Sequence, residues 1–281
     1  MGNPEKKVRL DEFLVKTGFC ESREKAQRLI LGNQVRVEGY PYLLKPSTRV
    51  MPDAVVFVLK KPRFVGRGGE KLEKALQEFS LSLEGLSFAD IGASTGGFTD
   101  CLLQHGAKKV YAVDVGYGQL HESLRQDPRV VVLERVNARY LTLEQIGEFL
   151  DGVTIDVSFI SLTLLFAPLV RLLKEGGILI ALIKPQFEAG REKVKKGVVK
   201  APQVHEEVLT NVLQEAERSM LSLCGLTFSP LLGPQGNIEF LGCWRKTGLS
   251  LTKEERRSII MKVVEEAHMF FKDRGIVHGV E

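Results

Sequence analysis

The sequence predicts an α/β protein with a mostly parallel sheet, preceded by a small α+β domain. After residue 70, near-continuous runs of Val, Ile and Leu alternate with helical stretches, as in a parallel sheet covered on both faces. Residues 1–65 form a distinct basic segment with 13 basic and 7 acidic residues. A stretch rich in Pro, Gly and cations lies between these parts, at residues 61–69, and has the composition of a linker.

The composition is that of an ordinary globular protein. The 281 residues allow one large domain or two smaller ones, and 44% apolar with 26% charged residues exclude disordered and fibrous classes. Four widely spaced cysteines without a CxxC pair predict neither a zinc site nor a disulfide framework. The beginning of the sequence has no apolar signal region, and no uncharged stretch reaches the roughly 20 residues of a membrane span. We therefore expect a cytoplasmic protein that does not bind membranes.

The basic segment predicts two helices followed by short strands. Apolar residues at i, i+3 and i+4 indicate a first helix that ends at Gly18, and Ser22 is placed to cap a second helix. Strands fit residues 35–37 and 55–59. The residues expected to face the core of this domain are Leu10, Phe13, Leu14, Ala26, Leu29 and Ile30.

This segment carries a net charge of +6, which leaves −2 for the rest of the chain and suggests a polyanion-binding module. Residues 8–59 contain the string R-L-D-x-x-L-x-x-x-G-x-x-x-S-R-x-x-A-x-x-L-I-x-G-x-x-V-x-V. The string resembles the S-four-like RNA-binding domain, named after ribosomal small-subunit protein four. The resemblance implies that cations of this domain contact RNA, mostly through phosphates, although each one taken alone could be a solvated surface charge. The candidate RNA-binding residues are Arg9, Arg23, Lys25 and Arg28, with Arg63 and Arg67 in the linker.

The rest of the chain predicts the alternating elements of an α/β domain. A helix begins at Glu70, and apolar runs predict strands at 87–91, 110–113, 130–133, 153–157 and 178–183. Residues 226–232 and 238–244 resemble an antiparallel hairpin, and Thr252 with Glu255 forms a capping box for a last helix. These elements and the resemblance of the basic segment predict an S-four-like RNA-binding domain at 1–60, a linker at 61–69 and a second domain at 70–281.

A loop rich in small residues follows the first strand of that domain. Such a strand–loop–helix turn is typical of nucleotide sites, because glycine lets the backbone approach a ligand closely. The loop is neither G-x-G-x-x-G nor a Walker A motif. Asp114 ends the second strand, where a carboxylate can accept hydrogen bonds from both hydroxyls of a ribose. The candidate ligand residues of the loop are Asp90, Gly92, Ala93, Ser94, Gly96, Gly97 and Phe98.

This pattern, D-x-G-x-x-x-G-G-F-T followed by A-V-D, resembles the S-adenosylmethionine site of class I methyltransferases. The resemblance adds Asn137 and Asp156 to the cofactor-binding set. A competing interpretation remains, because 92–96 is also a literal G-x-S-x-G and the order Ser94, Asp156, His205 suits a hydrolase triad. A nucleophile elbow normally follows several strands of its sheet, and here it would follow the first.

Four polar residues mark the predicted catalytic site. Asp156 and Lys184 lie near the ends of the fourth and fifth strands, where ligands of open α/β sheets bind. Lys71 opens the predicted helix after the linker, and Glu239 begins the last strand. A lysine after an apolar run could also be a surface residue, so each one taken alone is weak evidence.

Together these four resemble the Lys-Asp-Lys-Glu tetrad of FtsJ-type 2′-O-ribose methyltransferases. With I-D-V-S-F-I-S-L, I-K-P-Q-F-E and N-I-E-F, residues 9–245 resemble the TlyA family of rRNA methyltransferases, also labelled haemolysin A. The resemblance implies a Rossmann-like methyltransferase fold with a seven-stranded sheet and 2′-O-methylation of cytidine in ribosomal RNA. It also implies S-adenosyl-L-methionine as cofactor and ribosomal RNA or subunits as partner, with no obligate protein partner evident.

The residue types fit that chemistry. A ribose 2′-hydroxyl is a weak nucleophile, so orientation and a neighbouring cation or base must supply most of the rate. We expect Lys184 to act as base or oxyanion stabiliser, with Asp156 holding it and with Lys71 and Glu239 orienting ribose and lysine. Two further alternatives remain open. One is an RNA-binding protein of methyltransferase fold without activity, and the other is a membrane-lytic protein.

Overall fold

The structure of the protein is a computed structural model, and it describes residues 7–31, 34–40, 44–58 and 63–273. The chain divides into two compact units, residues 1–63 and 64–281. Within the described ranges, none of the helices combines the length and the apolar character that crossing a bilayer requires.

The described part of the first unit contains two helices, α1 (Leu10–Lys16) and α2 (Arg23–Leu31). Its short strands pair antiparallel, β1 with β3 and β2 with β4. The predicted core is largely confirmed, since Leu10, Phe13, Leu14, Ala26 and Ile30 are buried and Leu29 is half-buried. The predicted cap also forms, because Ser22 Oγ accepts a hydrogen bond from the Lys25 amide at 3.2 Å. The strands are β1 (Val8–Arg9), β2 (Val35–Val37), β3 (Arg49–Val50) and β4 (Val56–Val58).

The second unit is built on one seven-stranded sheet over its described residues. The strands lie in the order β10-β11-β9-β8-β5-β6-β7. The last five strands in this order, β9, β8, β5, β6 and β7, are parallel to one another, and β11 is antiparallel to its neighbours β10 and β9. This confirms the predicted mostly parallel sheet with a C-terminal hairpin. The strands are β5 (Ser87–Ile91), β6 (Lys109–Asp114), β7 (Val130–Glu134), β8 (Leu150–Ile155), β9 (Leu173–Ile183), β10 (Leu221–Phe228) and β11 (Phe240–Lys246).

Helices cover both faces of this sheet. One apolar core packs α3 and α4 against it, and a second core packs α7, α9 and α10 on the other face. Burial on both faces explains why the strands are almost continuously apolar. The helices are α3 (Gly68–Glu78), α4 (Gly97–Gln104), α5 (Glu122–Arg125), α6 (Leu143–Ile146), α7 (Thr163–Val170), α8 (Pro185–Glu188), α9 (Pro202–Arg218) and α10 (Lys253–Asp273).

The topology creates a crevice where strand order reverses. β5 lies between β6 and β8, so the chain leaves β5 toward one side of the sheet and later returns on the other. The loops at the carboxyl ends of β5 and β8 therefore diverge, which is where open α/β sheets bind ligands.

Some predicted boundaries differ from the observed ones. α3 begins at Gly68 rather than Glu70, and Phe64 is buried beneath Gly69, so residues 64–69 pack with the second unit. β9 begins at Leu173, earlier than predicted. The prediction missed its first residues because they are charged residues and glycines, which do not form an apolar run. The first hairpin strand begins at Leu221 and has a register shift between Leu223 and Gly225, where burial is interrupted.

Candidate methyltransferase site

The loop between β5 and α4 has the backbone that its glycines predict. Gly92 has φ +80°, and a Cβ there would lie 2.5 Å from the carbonyl oxygen of Asp156. Ser94 also adopts a left-handed conformation, with φ +50°. A non-glycine residue in that region stores strain, and such strain clusters at functional sites.

A cavity of about 540 Å³ opens beside this loop, at the carboxyl ends of β5, β6 and β8. Its volume lies within the range of small-molecule sites. The predicted residues Gly92, Ser94, Asp114, Asn137 and Asp156 all line it. The remaining walls are mostly apolar and include Val113, Val115, Val136, Val157, Ile160 and Leu165.

Asp114 holds the loop in place at this cavity. Its two carboxylate oxygens accept hydrogen bonds from the backbone N–H groups of Ser94, at 2.8 Å, and Gly116, at 2.7 Å. Each carboxylate oxygen keeps a second lone pair for a further donor. The acidic residue predicted to bind a ribose therefore reaches the cavity already oriented by two amides.

Two predicted ligand residues of the loop have other contacts. Asp90 is fully buried, lines neither this cavity nor the one beside Lys184, and accepts hydrogen bonds from the hydroxyls of Thr99, at 2.7 Å, and Thr154, at 3.0 Å. Burial, with a contribution from the charge of Asp156, raises the pKa of Asp90 to about 7. Gly96 faces α5, since its Cβ would lie 2.2 Å from Leu124 Cδ1. Asp90 thus joins α4 to β8. Neither Asp90 nor Gly96 lines the two cavities, and their assignment to the cofactor stays a prediction.

Lys184 and Asp156 form the first of two ion pairs at the carboxyl edge of the sheet. Lys184 Nζ lies 2.7 Å from Asp156 Oδ1 and donates a hydrogen bond to Ser158 Oγ at 3.0 Å. Lys184 is buried, whereas 22% of the Asp156 side chain remains exposed. Both residues follow directly after strands, β9 and β8, so the sheet fixes their positions.

A second cavity, of about 210 Å³, places this pair beside the glycine loop. Lys184, Ala93, Gly97 and Phe98 line it together with Gly68 at the start of α3. It shares four residues with the larger cavity, namely Gly92, Ser94, Asp156 and Ser158. A ligand in the larger cavity would therefore meet a ligand beside Lys184 across these shared walls.

Lys71 and Glu239 form the second ion pair. Lys71 Nζ, on α3, lies 2.5 Å from Glu239 Oε2, and Glu239 is fully buried. Because Phe240 pairs with Ile183 in the antiparallel ladder, Glu239 stands opposite Lys184 in register. Glu239 Oε1 is buried and has no hydrogen-bond partner among the described residues. The four predicted catalytic residues thus form two pairs at one edge of the sheet.

The predicted RNA-binding cations of the first unit have different surroundings. Arg9 donates to both carboxylate oxygens of Asp11, at 2.9 and 2.8 Å, and Arg23 donates to Asp11 Oδ2 at 3.0 Å. The side chain of Asp11 is fully buried, and its hydrogen bonds, first those from Arg9, hold its pKa well below the usual range. Lys25 is paired with Glu21, and Arg28 is exposed.

The two linker candidates, Arg63 and Arg67, are also exposed. Arg63 closes the first unit, whereas Arg67 lies in the second, one residue before α3.

The hydrolase alternative fails on the position of its histidine. His205 is fully buried, and its two ring nitrogens lie 2.9 Å from His268 Nε2 and 3.2 Å from the Val199 carbonyl oxygen. Asp156 is paired with Lys184. Ser94 therefore has neither the base nor the orienting carboxylate of a triad.

Several residues at the site were missed by sequence reasoning. Val115, Gln119 and Phe159 line the larger cavity, and Ser158 bonds Lys184. The signal for Ser158 and Phe159 was their place directly after Asp156, in a segment that follows a strand. Val115 and Gln119 have no such signal, because only the path of the loop after β6 brings them to the cavity.

The fold and the site together define a methyltransferase. The family model of FtsJ-like methyltransferases matches residues 64–246, and that of the S4 domain matches residues 8–56.

The chain also resembles named relatives along nearly its whole length. The candidate rRNA methyltransferase YqxC of Bacillus subtilis is 49% identical over 280 residues, 96% of this chain and 97% of that protein. The 16S/23S rRNA (cytidine-2′-O)-methyltransferase TlyA of Mycobacterium tuberculosis is 42% identical over 265 residues, 93% of this chain and 96% of its own. The structure of a candidate hemolysin from Streptococcus thermophilus is similar, with a TM-score of 0.75 and 44% identity over 96% of this chain and 99% of that one. This protein belongs to the TlyA family.

Proposed function

We propose that this protein transfers a methyl group from S-adenosylmethionine to the 2′-oxygen of a cytidine in ribosomal RNA. The observation that carries the proposal is the pair of adjoining cavities, with Lys184 in the smaller one and Gly92, Ser94, Asp156 and Ser158 shared by both. Relatives at 42% identity carry the name of an rRNA cytidine-2′-O-methyltransferase, and an S4 domain precedes the methyltransferase domain.

The residues of the larger cavity fit the proposed cofactor. Apolar side chains such as Val136 and Ile160 suit the faces of an adenine ring, and Asp114 offers free lone pairs to ribose hydroxyls. Ser94 and Asn137 add polar groups at the same walls. S-adenosylmethionine, when bound, supplies a methyl group on a positively charged sulfur.

Lys184 is the group we assign to the reacting oxygen. Its ammonium can donate a hydrogen bond to the 2′-oxygen and stabilise the negative charge that develops there. Alternatively, in its neutral form, Nζ takes the hydroxyl proton, whereas in the first role that proton passes to water. Asp156 and Ser158 fix Nζ from two directions, so little reorientation is needed during the reaction.

Lys71 and Glu239 act as positioning residues in this proposal. Their pair is more deeply buried, and it stands beside Lys184 through the register of β9 and β11. Glu239 is fully buried and lines neither cavity, so in this proposal the pair acts through the position of Lys184.

The S4 unit supplies cations for RNA. Arg28 is exposed, and the guanidinium groups of Arg9 and Arg23 are held by Asp11 while their side chains remain 33% and 50% exposed. Lys25 and Arg63 are exposed as well, and so is Arg67 in the second unit. Arginine side chains held in one orientation lose less entropy when they bind phosphates. We assign ribosomal RNA, free or in a subunit, as the partner of these residues.

The test is methyl transfer to isolated ribosomal subunits. Purified protein is incubated with methyl-labelled S-adenosylmethionine and each subunit, and the label is mapped by reverse transcription that is sensitive to ribose methylation. The proposal predicts label at a cytidine with wild-type protein and no label with Lys184→Ala, which should still bind the cofactor. Cofactor binding without any transfer to RNA would instead favour an RNA-binding protein without activity.

A further inference from the structure

One buried amide lies beside the catalytic lysine without a structural role. Gln186 is the second residue of α8, the short helix that begins directly after Lys184. The neighbouring side chains of this helix have partners. Glu188 accepts hydrogen bonds from Ser161 Oγ, at 2.6 Å, and the Leu162 amide, at 2.8 Å, while Phe187 packs against Phe159 with ring centroids 5.1 Å apart.

The amide of Gln186 has no such partner. Both Oε1 and Nε2 are buried, and neither has a hydrogen-bond partner in the part of the chain that the structure describes. Leaving a buried polar group unpaired costs stability, and a leucine or methionine of similar size would avoid that cost. Such an exception in a folded protein indicates a group that is satisfied by something other than the fold.

A cavity that could hold a partner for this amide adjoins Gln186. It has a volume of about 350 Å³ and is lined by Gln186, Phe187, Gly190 and Val194. None of these four residues lines the two cavities assigned to the cofactor and to the reacting oxygen. The described lining has no charged side chain, so it suits a flat, neutral and partly polar group better than a phosphate.

We propose that the Gln186 amide hydrogen-bonds to the edge of the base on the target nucleotide and so contributes to base specificity. This inference depends on the proposed function, because it takes the ribose of that nucleotide to lie at Lys184. The base is attached to C1′, the neighbour of the carbon that bears the reacting hydroxyl, and Gln186 follows Lys184 by two positions at the start of α8.

The chemistry of the amide matches cytosine. Cytosine presents an amino donor at N4 next to an acceptor at N3, and the amide presents an acceptor, Oε1, next to a donor, Nε2. Enzymes that act on single nucleotides take the base out of its stack, recognise its pairing edge by hydrogen bonds and pack it against aromatic side chains. Phe187, on the same helix, is an aromatic wall of this cavity.

The test pairs a change in the protein with a change in the base. Single-turnover methyl transfer is measured on ribosomal RNA that carries, at the mapped nucleotide, either cytidine or the pyrimidin-2-one ribonucleoside, which lacks the 4-amino group. Wild-type protein should lose about tenfold in rate on the analogue, the equivalent of one hydrogen bond. Gln186→Leu should be about tenfold slower on cytidine and should show no further loss on the analogue.

Two controls separate this effect from folding. Gln214→Leu removes an exposed amide on α9, far along the chain from the catalytic residues, and should retain the wild-type rates on both RNAs. Gln186→Glu keeps an acceptor for the amino group but loses the donor to N3, so it should be slower and still discriminate against the analogue. Cofactor affinity and thermal unfolding of each variant confirm that the fold is retained.

The outcomes are distinguishable. If Gln186→Leu shows the same penalty on the analogue as wild type, the amide does not bind the base edge and the inference is wrong. If wild-type protein transfers no methyl group to a ribose of either RNA, the proposed function itself fails, and this inference fails with it.

Discussion

The two ion pairs at the carboxyl edge of the sheet each join a lysine to a carboxylate, but they differ in their access to solvent. Lys71 and Glu239 lie almost entirely out of solvent, with a separation of 2.5 Å. Lys184 and Asp156 are 2.7 Å apart, share a hydroxyl partner in Ser158, and face two cavities. Burial suits a pair whose charges stay fixed, whereas access to a cavity suits a pair that meets a substrate. We therefore assign the reaction to Lys184 and the support of the site to Lys71.

The largest expected effect is the loss of Lys184. Lys184→Met should reduce the single-turnover rate of methyl transfer roughly 10³-fold, within the range for removal of a positioned acid–base group. Cofactor affinity should change little, because Lys184 does not line the larger cavity. Lys174→Met is the matched control, since Lys174 forms an ion pair with Asp151 near the other end of β9. A similar loss of rate in both variants would contradict the assignment.

Removal of Lys71 should act mainly on stability. Lys71→Met leaves the carboxylate of Glu239 buried without its cation, and breaking a buried pair in this way costs about 3 kcal/mol. The free energy of unfolding, measured by urea titration, should fall by that amount. The double variant Lys71→Met with Glu239→Leu should recover much of the loss, because no unpaired charge remains. If the double variant were less stable than the single one, the pair would not be the source of the effect.

Loss of Asp114 should weaken cofactor binding by a smaller amount. Asp114→Asn removes a charged acceptor from the larger cavity, and hydrogen bonds to charged groups contribute about 1.5–3 kcal/mol, or roughly ten- to hundredfold in affinity. Calorimetric titration with S-adenosylmethionine would measure this change. Asp127→Asn, which loses only a surface pair with Arg129, should bind as wild type does. Equal affinity in Asp114→Asn and wild type would place the ribose elsewhere.

The smallest expected effect is on how the free energy of unfolding changes with pH, to which Asp90 contributes. Burial raises the pKa of Asp90 to about 7 from its ordinary value of 3.8, so the folded protein keeps a proton that the unfolded chain releases. Stability from this group therefore falls as pH rises from about 4 to about 7. Asp90→Asn should flatten the curve of unfolding free energy in that window. An unchanged slope would show that Asp90 ionises normally in the folded protein.

The sequence predicted the parts of the site that depend on local patterns. The glycine loop, Asp114, Asp156 and Lys184 each follow a strand whose apolar run is visible in the sequence, and parallel strands bring such ends together. The Lys184–Asp156 contact followed from that placement, whereas the Lys71–Glu239 pair joins a helix to an antiparallel strand and was not predicted. The catalytic assignments themselves stay predictions, since they concern a reaction and not a fold.

The parts that were missed depend on packing between distant elements. Asp90 accepts hydrogen bonds from Thr99 and Thr154, and no local pattern shows that Thr154 lies beside it. His205 suited a triad by chain order alone, yet its partner His268 lies on α10. Phe64 was assigned to a linker because its neighbours are Pro, Gly and cations, although it is buried under Gly69.

The most direct test of the account is the chemical identity of the methylated nucleoside. RNA from subunits treated with wild-type protein is digested to nucleosides, and the position of the methyl group is determined by fragmentation in mass spectrometry. The account predicts that the added mass stays with the ribose of cytidine and is absent after treatment with Lys184→Met. A methyl group that remains with the base would contradict it, because the pair formed by Lys184 and Asp156 would then serve a different acceptor.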